Sequence, residues 1–257
     1  MKLSLSNGIF SKLSLNENLS AVKRLGFEYV EFNMKSVEKQ TDDSTEPAKN
    51  GLAAHGLRCL TVHAASLHVK QASEVPTAIY YGQVSAEFAK ALSAPVMVVH
   101  SNISRNLREN LRRRFLKEVF GEVKPYAEGL GVKLALENLS YASSGYGKNT
   151  PQMEEILRVI DAEGSMGVTL DFCHAEATGA TSSLLGRFHE RLCNVHMSNR
   201  AHKPFAEETA KLKAFLNALQ RHEYDGPVTL ELNRKCTLDE VQTTKTVLER
   251  ALAKVSA

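Results

Sequence analysis

The chain has 257 residues, 43% of them hydrophobic, with a formal net charge of +3, so it can bury a full core as one domain or two. Four cysteines (Cys59, Cys173, Cys193, Cys236) are scattered without a CxxC pair, which argues against a secreted disulfide framework and fits a reducing, cytoplasmic compartment. No apolar run approaches the ~20 residues of a membrane span, residues 1–10 alternate and are too short for a signal h-region, and the mild positive excess permits an anionic partner without requiring one.

Taken in order, the chain reads as a β-like run followed by a helix-like run, repeated. The strand expectations are Lys2–Ser6, Tyr29–Asn33, Cys59–Ala64, Val96–His100, Lys133–Glu137, Gly167–Asp171, Cys193–Met197 and Val228–Leu232. They are short and rich in Val, Leu, Ile or Met, as strands covered on both faces should be. Helical spacing appears over Asn16–Leu25, Pro76–Leu92, Leu107–Leu130, Pro151–Asp161, Lys211–Arg221 and Leu238–Val255. Asn16, Asn18 and Ser20 offer caps, Pro76 and Pro151 suit first turns, and Gly26, Gly56, Gly131 and Gly226 stand where a left-handed residue would end each helix. Two loops are long and polar: Lys39–Lys49, read as a solvated connection, and Ser140–Thr150 after the fifth strand. Eight strands alternating with helices predict an α/β fold, a closed (β/α)8 TIM barrel forming a single domain over residues 1–257. A doubly wound sheet is the rival, but Ser6-Asn7-Gly8 is not its GxGxxG turn.

On that topology the polar residues fall at C-terminal strand ends. The third strand runs into His63, the fourth into His100 and the fifth into Glu137; the sixth ends at Asp171 with His174 just beyond, the seventh carries His196 and the eighth Glu231. Strand ends of a barrel converge on one cavity, and a glutamate in an apolar strand is costly to bury unless paired or metal-bound. Imidazoles and carboxylates without thiolates suit a catalytic zinc, manganese, cobalt, iron or magnesium rather than a structural zinc. Cys173, placed on the opposite side of an extended chain from Asp171 and His174, is not expected to ligate. The basic run Ser104–Arg114, with Arg105, Arg108 and Arg112 at helical spacing, reads as a solvated helix face, except that Arg105 should lie in the active-face loop and could bind a phosphate. Lys148, Arg200 and Lys203 are further loop cations.

Through Leu136-Glu-Asn-Leu139, Leu170-Asp-Phe-Cys-His174, Asn194-Val-His196 and Tyr224-Asp-Gly-Pro-Val-Thr-Leu-Glu231, the sequence resembles the xylose-isomerase-like TIM-barrel superfamily. That group contains sugar phosphate isomerases and epimerases, inosose-processing enzymes and endonuclease IV, and the resemblance runs from Lys2 to about Asn233. The epimerase branch implies one divalent ion on Glu137, Asp171, His196 and Glu231, a substrate contact at His174, and proton exchange next to a carbonyl by the two glutamates. The implied enzyme is a metal-dependent sugar or sugar-phosphate isomerase or epimerase passing through an enediolate that the ion stabilises. Its substrate would also meet His202, Arg200 and Arg105.

The endonuclease IV branch implies a second ion on His63 and His100, so one or two ions per chain, and a zinc-dependent phosphodiesterase acting on abasic DNA as the alternative. Its third zinc uses an Asp-x-His pair, and here Arg200-Ala-His202 puts an arginine in place of the aspartate. A small carbohydrate or sugar phosphate is thus the expected partner, nucleic acid only under the alternative, with no membrane and with a homo-oligomer allowed.

Overall fold

In the computed structural model of the chain, which describes residues 1–34 and 45–256, the expected strands form and close on themselves. They are β1 Lys2–Ser6, β2 Tyr29–Asn33, β3 Arg58–His63, β4 Val96–Val99, β5 Lys133–Glu137, β6 Gly167–Asp171, β7 Leu192–Met197 and β8 Pro227–Leu230. Neighbours in sequence pair in parallel, and β8 returns to β1 to close the barrel.

Period-two alternation sorts each strand into an inner and an outer set. Leu5, Val30, Val168, Val195 and Val228 belong to the apolar core, where Phe32 of β2 packs on Phe88 with ring centroids 5.0 Å apart. The alternate positions are polar and buried: Ser4, Glu31, Thr61, Thr169, Asn194 and Thr229. Branched apolar residues usually fill a barrel of this size. Here a polar layer lies one residue pair beneath the strand ends, and it supports the site described below.

The helices are α1 Leu15–Arg24, α2 Thr45–His55, α3 Val75–Ala91, α4 Glu109–Gly129, α5 Thr150–Ile160, α6 Phe172–Thr178, α7 Thr181–Phe188, α8 Ala210–Arg221 and α9 Leu238–Ser256. Each long helix turns one stripe inward. In α8 the buried residues are Leu212, Phe215, Leu216 and Leu219, and burying each such side chain stabilises the fold by about 1.5–3 kcal/mol. Helices α3 and α4 approach through Gly82, where an added Cβ would lie 2.5 Å from Val123 Cγ2.

Several boundaries differ from expectation. The cap of α1 is Ser14, whose side chain and that of Glu17 form a reciprocal capping box; Asn18 is instead buried and donates to the Asn7 carbonyl at 3.0 Å. Gly26, Gly56 and Gly131 do take positive φ, but before β8 it is Glu223 (φ 53°) that does so, not Gly226. Of the loop expected over Lys39–Lys49, residues 39–44 lie outside the described residues, and Thr45 to Lys49 open α2. Among the described residues no helix is long and apolar enough to cross a membrane.

Candidate metal centre

His63, Glu137 and Asp171 are the last residues of β3, β5 and β6, and His196 is the penultimate residue of β7. His100 and Glu231 lie one residue beyond β4 and β8 rather than within strands as expected. Glu231 keeps the barrel register all the same, because its N–H donates to the Met197 carbonyl at 3.2 Å. The closed barrel therefore brings these ends together, and one ligand atom from each of Glu137, Asp171, His196 and Glu231 lies within 4.8 Å of the others. Two further groups adjoin this one, His63, His100 and Glu137 on one side and Asp171, His174 and His202 on the other.

The histidines are oriented by what their other ring nitrogen donates to. His63 Nδ1 faces the Ala64 carbonyl at 3.2 Å, which leaves the Nε2 lone pair towards Glu137 Oε2, 3.5 Å away. His196 turns Nε2 to a Glu31 oxygen at 2.8 Å and Nδ1 inward, 3.1 Å from Glu137 and 3.4 Å from Glu231. His174 Nδ1 lies 3.0 Å from the Asn138 carbonyl, and His202 Nδ1 lies 3.1 Å from the Glu231 carbonyl. A donor bond to a carbonyl or carboxylate fixes the tautomer and presents the free nitrogen as a ligand. For the last two the consequence is sharp, since their Nε2 atoms face each other at 3.0 Å. Two lone pairs at that distance repel unless a proton or a cation lies between them.

Asn138 organises the aspartate. Its side-chain oxygen accepts from the Asp171 N–H at 2.8 Å, and its amide donates to the Asp171 carbonyl at 3.1 Å. Asp171 then caps α6, accepting from His174 N at 2.6 Å. The chain is helical from Phe172, so the extended geometry expected for Cys173 does not hold. It is nevertheless buried and belongs to none of the three groups.

The charges are strongly interdependent. Burial pushes the Glu137 carboxyl up, but His196 and His100 outweigh it and hold it well below the usual range. For Glu231 burial also raises, and the charge of His196 leads the effects that bring it down to about 2. Asp171 goes the other way, well up, through burial and then the charge of Glu137.

A divalent cation fits these residues on their own chemistry. Three carboxylates and Glu31 converge with only imidazoles as counter-charge, and Asp171 Oδ2 is buried without a hydrogen-bond partner. Such a set is costly unless a cation takes up the charge.

Glu31 is a member of the candidate site that the sequence reading missed. It is fully buried, accepts from Thr61 Oγ1 at 2.8 Å and from Asn194 Nδ2 at 3.4 Å, and holds His196. The signal was present, because Tyr-Val-Glu-Phe-Asn places a glutamate in an apolar strand just as β5 does.

The expected cations fare differently. Arg200 lines a cleft with His174 and His202, whereas Arg105 is exposed and does not line it. Helix α4 begins at Glu109, so Arg105 and Arg108 precede it. Arg112 is buried against the Tyr146 ring at 3.9 Å and pairs with Glu155, while Arg113 and Arg114 pair with Glu109 and Glu118. Of the predicted stripe, Arg112 alone has an acidic partner among the described residues, and Arg105 and Arg108 are exposed. Lys148 is also buried, its Nζ donating to the Tyr141 carbonyl, whereas Lys203 is exposed.

The fold and the site together define a parallel (β/α)8 barrel with a group of carboxylates and imidazoles at its C-terminal mouth that could hold a metal ion. The sequence pattern of the xylose isomerase-like TIM barrels matches residues 19–254, and the chain belongs to that family. A probable endonuclease 4 of Halothermothrix orenii is 36% identical over 92 residues, a stretch covering 34% of this chain and 31% of that protein. The chain thus spans about a third of that relative's length. Among solved structures, a D-tagatose 3-epimerase-like protein superposes with a TM-score of 0.83 at 20% identity, covering 100% of this chain and 98% of the other. The IolI protein with a bound zinc atom superposes with a TM-score of 0.78 at 20% identity, covering 99% of each chain. At such identities the likeness is one of fold.

Proposed function

We propose that the protein is a divalent-metal-dependent sugar isomerase or epimerase, with Glu137, Asp171, His196 and Glu231 holding the ion. The observation that carries this reading is the pairing of Glu137 and Glu231 at one ligand group that opens into a cleft of about 580 Å³, a small-molecule dimension. A divalent ion there would polarise a substrate carbonyl and favour negative charge on the oxygens beside it.

The protein's own groups supply the proton steps. Both carboxyls are held ionised, Glu137 by His196 and His100 and Glu231 by His196, so either can accept the proton next to a carbonyl. Glu231, with 20% of its side chain exposed against 0% for Glu137, lines the cleft and is assigned the abstraction. In isomerisation Glu231 itself gives back the proton that it took. In epimerisation Glu137 first takes up a proton from solvent through His100, 2.8 Å away and 20% exposed, and delivers it to the opposite face, while Glu231 yields its own to solvent. His174 and His202 stand at the same mouth as contacts for substrate hydroxyls, with Arg200 on the rim. Return to the neighbouring carbon gives isomerisation, and return to the opposite face of the same carbon gives epimerisation.

The test joins elemental analysis to solvent exchange. One bound ion per chain and deuterium from solvent entering a ketose support the reading; two or three zincs with nicking of abasic DNA would sink it.

A second reading, a zinc-dependent phosphodiesterase, is favoured by one specific observation. The facing Nε2 atoms of His174 and His202, beside Asp171, and the group of His63, His100 and Glu137 flank the central set, so each of the three groups could take a cation. His174→Gln separates the two readings: loss of a bound metal equivalent favours the phosphodiesterase, and loss of sugar affinity with metal retained favours the isomerase.

A further inference from the structure

We infer that the cleft between the loops after β1 and β8 is an anion subsite, which takes the phosphate monoester end of a sugar phosphate while the sugar reaches Glu231. The inference rests on the sugar-isomerase reading and narrows its substrate class.

The cleft is bounded on one side by Ser6, the last residue of β1, with Ser11 and Lys12 beyond it, and on the other by Arg234 and Lys235, following β8; Glu231 and His202 also line it. Lys12, Arg234 and Lys235 are exposed, and none has an acidic partner among the described residues. That sets them apart from the paired cations of α4. The Ser6 hydroxyl is buried at 1% residue exposure and has no hydrogen-bond partner, and the Ser11 hydroxyl is likewise unpartnered. A buried hydroxyl without a partner is uncommon and marks a place where a ligand oxygen can accept.

Charge decides between this cleft and its neighbour. The second cleft, of about 920 Å³, lies across His202 and contains Arg200 and Lys211, but Lys211 is already paired with Glu176 at 2.7 Å. The first cleft sets three unpaired cations against one acid, Glu231, whose charge is directed to His196 and the ligand group. A carboxylate carries one charge, whereas a phosphate monoester carries about −1.5 to −2 at neutral pH and offers three strong acceptor oxygens. Three cations and two hydroxyl donors match the phosphate better, and loops after the last strands of such barrels commonly hold one.

The experiment titrates zinc-loaded protein calorimetrically with inorganic phosphate and, in parallel, with acetate. It is repeated on Lys12→Gln/Arg234→Gln, whose positions are exposed, with zinc content and circular dichroism confirming that the variant is loaded and folded. Phosphate is expected to bind at least about tenfold more tightly than acetate, and the double variant to lose at least about tenfold of it, or about 1.4 kcal/mol. No phosphate binding, phosphate binding unchanged in the double variant, or acetate binding as tightly as phosphate would each overturn the inference. Solvent-deuterium exchange separates this from the parent reading. Phosphate held by the cleft without exchange into any ketose removes the isomerase and leaves the subsite; exchange into free sugars as fast as into their phosphate esters removes the subsite and leaves the isomerase.

Discussion

At the scale of single residues, Glu31 carries the plainest prediction. Its only described role is to orient His196, and it is itself held by Thr61 and Asn194. Carboxylates that orient a metal-bound histidine contribute roughly 10–100-fold to metal affinity. Glu31→Gln keeps the shape but replaces the ionised acceptor, so zinc affinity measured by competition with a chromogenic chelator should fall by roughly that factor. Unchanged affinity would reduce Glu31 to a barrel filler. Glu31 also shows how the sequence was legible at this scale. The residues found were those at strand ends, where position and chemistry coincide; Glu31 sits in the third position of its strand, where a strand-end search does not look. Asn138 was missed for another reason, since an asparagine beside Glu137 has no marked chemistry until Asp171 is folded against it.

Between elements, close packing and loop anchoring can be tested separately. Gly82→Ala would drive a methyl into Val123, leaving 2.5 Å to its Cγ2. Overpacking of this kind costs about 1–3 kcal/mol, outweighing the gain of up to about 1 kcal/mol from replacing glycine in a helix. Chemical denaturation should therefore show a net loss, and a gain would mean that α3 and α4 separate freely.

The loop over Ser140–Thr150 is anchored by Tyr146, whose N–H donates to the Ile103 carbonyl at 3.0 Å and whose hydroxyl donates to Glu155. Burial, then the bond to Glu155, raises the phenol to about 12. A raised phenol stabilises the fold fully below its unfolded value of about 10 and loses that contribution as pH climbs towards 12. Glu155 runs the opposite way: burial raises it, but Tyr146 and Arg112 lower it overall, so its contribution is present above about pH 4.3 and fades as pH falls below that. Tyr146→Phe should lower stability by on the order of 1–3 kcal/mol at neutral pH and weaken both limbs of a melting profile recorded from pH 3 to 12. A profile parallel to wild type would mean that the hydroxyl bond contributes nothing.

For the whole molecule, the alternation of strand and helix was readable because a parallel barrel covers both strand faces and gives each strand an apolar run. What escaped was whatever depends on contacts made only after closure. Helices α6 and α7 are 7 and 8 residues long, too short for periodicity to declare them, and the polar layer beneath the site becomes visible only once Ser4 is set beside Thr229 and Glu31 beside Thr61. On the proposed metal reading, that layer and the carboxylates above it would tie metal loading to the stability of the entire barrel. With the proposed ligands drawn from β5, β6, β7 and the end of β8, the unfolded chain cannot assemble the set, so an ion that binds only the folded chain would add RT ln(1 + [M]/Kd). Free metal at about 100 times Kd gives about 2.7 kcal/mol, and for a domain of this size 1 kcal/mol moves Tm by about 2–4 °C. Scanning calorimetry of zinc-loaded and chelator-stripped protein should thus show a drop of roughly 5–11 °C on stripping. The same comparison on Asp171→Ala, whose carboxylate belongs to both the central group and the one with His174 and His202, should show the difference nearly abolished. A metal-dependent shift that survives there would place the ion elsewhere than at the strand ends.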